Sequence, residues 1–101
     1  METITITFPA YIAALPKKEQ GRARMRFLMR LAAILCTESA SINALSKRIG
    51  FHHNSLNSMF SQGTLDNGIP VNIIKAIEQV IGVGVIPREM LNPEVYGPAE
   101  L

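Results

Sequence analysis

The chain has no tryptophan, one cysteine, two tyrosines and four phenylalanines among 101 residues. With so few aromatics, aliphatic side chains must carry the core. A single cysteine, Cys36, excludes an intrachain disulfide. It lies in an apolar helical run and reads as a small buried hydrophobe, which suits a cytoplasmic location. Long hydrophobic runs are also missing. The greasiest stretch, "FLMRLAAILC" (27–36), is too short to span a bilayer and contains Arg30. "METITITF" lacks the basic and apolar regions of a signal peptide. Catalytic equipment is scarce. There is no Gly-rich phosphate loop and no paired acids, and no carboxylate stands near His52 and His53 in sequence. Metal binding is poorly served as well. The chain has two histidines and one cysteine, and zinc needs three or four converging ligands. Adjacent histidines on a helix would point about 100° apart. The sequence therefore implies no enzyme, no metal, no cofactor and no small-molecule substrate.

What remains is a globular composition, 48% apolar, sized for one domain over 1–101. The net charge of +2 is unevenly placed. Residues 1–75 hold nine Lys/Arg against four Asp/Glu, whereas residues 76–101 hold one Arg against four Glu. No acid occurs between Glu38 and Asp66. This suits an anionic partner on one face, or simply a solvated surface of uneven charge.

"ETITIT" (2–7) alternates with period two and predicts a short strand. The rest of the chain reads helical, so a lone strand would pair with its copy across a two-fold axis. "FPAYIAALP" (8–16) predicts a short helix ended by Pro16. A long amphipathic helix follows over 17–38, with Ala23, Phe27, Leu31, Ile34, Leu35 and Glu38 at helical spacing and Leu28 alongside. Lys18, Arg22, Arg26 and Arg30, each four apart, form a basic stripe along it. The stripe is either a solvated face, paired with acids from elsewhere, or a set of phosphate contacts.

"SINALSKRIG" (41–50) predicts a helix capped by Ser41, with Ile42, Leu45 and Ile49 on one face and Gly50 at its end. "FHHNSLNSMFSQG" (51–63) restarts a helix with Leu56, Met59 and Phe60 inward and Gly63 closing it. A loop at 66–70 leads to a helix over 71–82 with Ile73, Ile74, Ile77, Val80 and Ile81 inward. One helical turn after Pro87 and a proline-punctuated tail complete the chain.

The pair of helices around Gly50 resembles the helix-turn-helix of the phage Cro and repressor family. Small Ser46 lies four before the glycine, Leu45 and Ile49 face inward, and Leu56, Met59 and Phe60 follow the turn. A close helix crossing needs a small side chain, and the turn needs a residue that tolerates a left-handed backbone. Residues 68–97 are similar to the tail of small prophage Cro-like regulators of the YdaS type. The matching residues are Ile69-Pro70, Ala76-Ile77-Glu78, Gly82, Val85, Glu89, Leu91, Pro93 and Tyr96. The sequence departs from that pattern at Ser46, where Ala is usual, and at Met59, where an aromatic is common. About forty residues also precede the motif.

The resemblance implies an all-α, lambda-repressor-like bundle of about five helices. The N-terminal extension and long basic helix (1–39) would precede the helix-turn-helix (41–62) and the supporting helices (68–97). It implies a cytoplasmic, sequence-specific transcriptional regulator, a Cro-like repressor that binds double-stranded DNA as a homodimer with helix 52–62 in the major groove. His53, Asn54, Asn57 and Ser58 are the base-contacting candidates, because short amide and hydroxyl side chains can bond base edges. Ser41, Lys47, Arg48, His52, Ser61, Arg22, Arg26 and Arg30 are the candidates for the DNA backbone, with His52 as a cap or backbone contact. Protonation of His53 would tighten binding at mildly acid pH. Two alternatives stand beside this. One is a helix-turn-helix protein-interaction module of antitoxin or anti-repressor type, marked by an exposed apolar patch on the long helix, with Met25 and Met29 as candidates for it. The other is a nucleic-acid binder without sequence preference.

Overall fold

A computed structural model describes residues 2–97. Among these residues the chain is all-α. Its elements are α1 (Ala10–Ala13), α2 (Lys17–Cys36), α3 (Ile42–Arg48), α4 (Ser55–Ser61), α5 (Val71–Ile81), α6 (Arg88–Leu91) and α7 (Pro93–Tyr96). No helix is long and apolar enough to cross a membrane.

Proline precedes four of these helices and is the first residue of a fifth, α7. Pro9, Pro16, Pro70 and Pro87 each stand just ahead of the first helical residue, with φ between −59° and −53°. The ring fixes φ near the helical value while ψ stays extended, so the chain enters each helix at a set angle. Pro16 therefore begins the long helix as well as ending the short one. Asn92 caps α7 by accepting a hydrogen bond from the Val95 N–H at 3.2 Å. Its amide also donates to the Ile69 carbonyl at 3.0 Å, tying the tail to the loop before α5.

The predicted strand over 2–7 does not form; no β-strand occurs among the described residues. The alternation is nevertheless used. Ile4, Ile6 and Phe8 pack against the core, while Thr3, Thr5 and Thr7 face out. The Ile4 N–H donates to the Val85 carbonyl at 2.9 Å, and the Thr3 hydroxyl donates to the Gly84 carbonyl at 2.7 Å. The segment is laid across its own chain, so its apolar side is already covered without a second copy.

The long helix buries a different face from the one its pattern suggested. Met25, Leu28, Met29, Ala32 and Ala33 are in the core. Ala23, Phe27, Leu31 and Leu35 are only half-buried, and Ile34 is 61% exposed. The buried set repeats at i, i+3, i+4, i+7 and i+8, the stripe of a helix against a core. Ala32 and Ala33 are small enough to let the neighbouring backbone come close, and α2 packs mainly on α3, α5 and α1. The long helix is thus a wall of the one core and not an appendage. Cys36, at its end, is half-buried, and burial pushes its thiol pKa up.

The same core gathers Leu45, Leu56, Phe60, Leu65, Ile69, Ile73, Ile74, Ile77 and Leu91. Each fully buried Leu or Ile contributes about 1.5–3 kcal/mol by leaving water. Near Asp66 the backbone of α2 comes so close that a Cβ at Gly21 would collide with the Asp66 carbonyl oxygen. At the other end, Glu78 is buried in a two-pronged ion pair with Arg88, both N–O distances being 2.8 Å. The Arg88 guanidinium also lies 5.2 Å from the Tyr96 ring centroid. The Arg88 hydrogen bonds hold the Glu78 carboxyl below the usual range, against the upward pull of burial.

Candidate nucleic-acid interface

The α3–α4 unit is built from local rules. Ser41 accepts a hydrogen bond from the Ala44 N–H at 3.0 Å and so starts α3 as an N-cap. At the other end Gly50 has φ 91°. The Phe51 N–H donates to the Ser46 carbonyl, and the Gly50 N–H donates to that of Lys47. These paired bonds around a left-handed glycine form a Schellman motif. The same motif closes α4, where Gly63 donates to Phe60 and Thr64 to Met59.

Ser46 sits at the crossing of the two helices with no exposed surface. Its hydroxyl donates to the Ile42 carbonyl and accepts from the Leu56 N–H, both at 3.2 Å. That N–H belongs to the first turn of α4 and has no partner within its own helix. A serine here therefore does what an alanine cannot: it stays small and also supplies an acceptor between the helices.

The second helix begins later than its sequence suggests. Residues 51–54 are not helical; α4 runs Ser55–Ser61. His52, His53 and Asn54 occupy the turn ahead of it. The His52 carbonyl accepts from the Ser55 N–H at 2.9 Å, and its Nδ1 accepts from the Asn54 N–H at 3.3 Å. His52 is thus engaged within the turn, and Asn54 rather than His52 stands at the cap position, without a side-chain cap bond. The turn also brings the two imidazoles together, with ring centroids 4.3 Å apart. The 100° divergence of adjacent helical residues does not apply here. Still, no group of three or more His, Cys, Asp or Glu is placed to hold a metal among the described residues.

His52, His53, Asn54, Ser58 and Ser61 are all exposed. Lys47 and Arg48, in the last turn of α3, are exposed beside them in sequence. Asn57 differs. It is half-buried, its amide donates to Asn43 Oδ1 at 2.7 Å, and its own Oδ1 accepts from Arg26 at 3.4 Å. Of the proposed base-reading side chains, it is the one already held by two neighbours. Asn43 was not visible as a site residue. It is an exposed side chain on α3, and only the crossing of the helices brings it to Asn57.

The basic stripe divides along α2. Arg22 forms an ion pair with Asp66 at 2.8 Å, and that hydrogen bond raises its pKa above the ordinary value. Arg26 stacks over the Phe60 ring, 4.6 Å from its centroid, besides reaching Asn57. Arg30 is exposed, and neither it nor Lys18 makes an ion pair among the described residues. Part of the stripe therefore joins α2 to α4 and to the loop after it.

Compared with family models, with curated proteins and with solved structures, the chain matches none.

Proposed function

We propose that the protein is a sequence-specific DNA-binding regulator of the Cro-like, lambda-repressor-like type, reading an operator through the turn and face of α4. The observation that carries this is the exposed, acid-free set His52, His53, Asn54, Ser58 and Ser61, held on an α3–α4 unit tied by Ser46 and by the Gly50 turn. In the major groove such side chains can bond base edges, while Lys47 and Arg48 meet phosphates. Arg30 would extend the phosphate contacts. Arg22 and Arg26 would first have to loosen their ties to Asp66 and Asn57. One short helix reads few bases, so a dimer on a two-fold site is the economical arrangement, occupying an operator as a repressor.

The protein-interaction alternative loses Met25 and Met29, which are 5% and 0% exposed, but keeps an apolar patch on the long helix around Ile34, 61% exposed. The deciding experiment is selection of binding sites from a random duplex library at near-physiological salt. An enriched motif is the expected outcome, and a palindrome would report the dimer spacing. Salt-sensitive retention without a motif would make the protein a non-specific binder. No retention would overturn the proposal.

A further inference from the structure

We propose that the groove between α1 and the outer face of α2 docks an amphipathic helix of a partner protein, with acidic residues flanking its apolar stripe. This goes beyond the DNA-reading proposal and does not depend on it.

The groove encloses about 1000 Å³. Along its α2 wall run Ala23, Phe27, Leu31 and Ile34, spaced four, four and three residues apart. Tyr11 and Leu15 stand on the α1 side. Tyr11 is 60% exposed and Ile34 61%, so no described residue covers them. Large apolar side chains left open together in a concave site mark a docking surface. The spacing is that of a seam between packed helices.

Charge selects the occupant. Lys18, Arg22, Arg26 and Arg30 line the same groove at four-residue intervals, beside the apolar stripe. Two acids, Glu19 and Asp66, also line it. Asp66 is already paired with Arg22. Lys18 and Arg30 make no ion pair among the described residues. Nor does Glu78 of the acidic C-terminal half serve them, since it is bound to Arg88. An apolar stripe bordered by a basic one is complementary to a helix whose apolar face is bordered by Glu or Asp. A second copy meeting this face across a two-fold axis would set cation against cation. Duplex DNA would answer the basic stripe but leave Ile34 and the open side of Leu31 without an apolar partner, Phe27 being already packed edge-to-face on Phe8.

The test uses the full chain, isotopically labelled, and two designed peptides of about 18 residues, five helical turns. Both carry the same Leu/Ala stripe; one is flanked by Glu and the other by Lys. The Glu peptide should bind and shift amide resonances over 23–34, and the Lys peptide should not bind. Ile34→Glu, at an exposed position that leaves the core intact, should weaken binding by about tenfold or more. Lys18→Glu with Arg30→Glu should reverse the preference between the peptides. The proposal is overturned if neither peptide binds, if both bind alike, or if the shifts fall outside the groove. It is also overturned if Ile34→Glu abolishes self-association of the chain without any peptide binding, which would assign the groove to a second copy. Loss of DNA affinity in the Lys18→Glu, Arg30→Glu variant without peptide binding would assign the stripe to phosphates instead.

Discussion

The Ser46 hydroxyl oxygen lies 3.2 Å from the Leu56 nitrogen, across the crossing of α3 and α4, with no solvent access to either residue. This bond joins the two helices at a point that water cannot reach. A buried N–H left without an acceptor costs about 1–3 kcal/mol. Ser46→Ala removes the acceptor and keeps the size, so it should lower stability by about that amount. Urea denaturation would measure it. An unchanged midpoint would mean that the first turn of α4 satisfies this N–H in another way.

Gly21 offers a case where local and tertiary rules disagree in sign. In an exposed helix, Gly→Ala is worth about 1 kcal/mol of stabilisation. Here the added Cβ would collide with the Asp66 carbonyl, a backbone atom that cannot simply rotate aside. Gly21→Ala should therefore lower the melting temperature. A rise would show that the loop carrying Asp66 shifts away from α2 easily.

The Glu78–Arg88 pair predicts an acid limb in stability. Arg88 holds the Glu78 carboxyl below its ordinary range in the folded state. A depressed folded pKa stabilises the protein above the unfolded value, about 4.3 for Glu. That contribution is lost as pH falls below this value and through the lower folded one. Thermal melts of the parent should fall steeply across that window. Glu78→Gln should start lower at neutral pH and show a shallower fall. Parallel curves for the two proteins would remove Glu78 as the cause.

If α4 reads DNA, affinity and specificity should separate by residue. Lys47→Ala and Arg48→Ala should weaken binding to every duplex alike, each reducing the salt slope by about one. His53→Ala or Asn54→Ala should relax preference at one base position, with about 1–3 kcal/mol of discrimination at stake. Site-selection profiles at two salt concentrations distinguish these behaviours. Uniform loss from all four variants would mean that the turn contacts only the backbone.

Asn57 should act through its neighbours. Its amide is oriented by Asn43 and Arg26. Asn43→Ala should therefore reproduce part of any binding defect of Asn57→Ala, although Asn43 itself lies outside the proposed base-reading set. Independent, additive effects in a double-mutant cycle would show that the Asn43–Asn57 bond does not matter for binding.

The short helices of the middle of the chain were legible because their signals are local. Ser41 caps α3, Gly50 and Gly63 supply the left-handed residues that end α3 and α4, and the isoleucines of α5 repeat with the period of one buried face. Such features depend on residues within a turn or two of one another. The exposed polar set around α4 was readable for the same reason, since an acid-free run of His, Asn and Ser has no place in a core. The start of α4 differs from its pattern, because the Asn54 N–H donates to His52 Nδ1 and the Ser55 N–H to the His52 carbonyl, which holds 51–54 in a turn.

Only the tertiary structure decided the face of α2. The helix is apolar on two sides, and a period alone cannot say which side meets the core. The choice fell to Met25, Leu28, Met29, Ala32 and Ala33, where paired alanines allow close packing. That choice left Phe27, Leu31 and Ile34 to the groove. It also set Arg22 against Asp66 and Arg26 against Phe60, partners 44 and 34 residues away in sequence. The alternation at the N-terminus was likewise correct as a pattern and silent about its partner. A period-two segment needs one apolar surface to lie on, and Val85 with the existing core supplied it before any second strand was required.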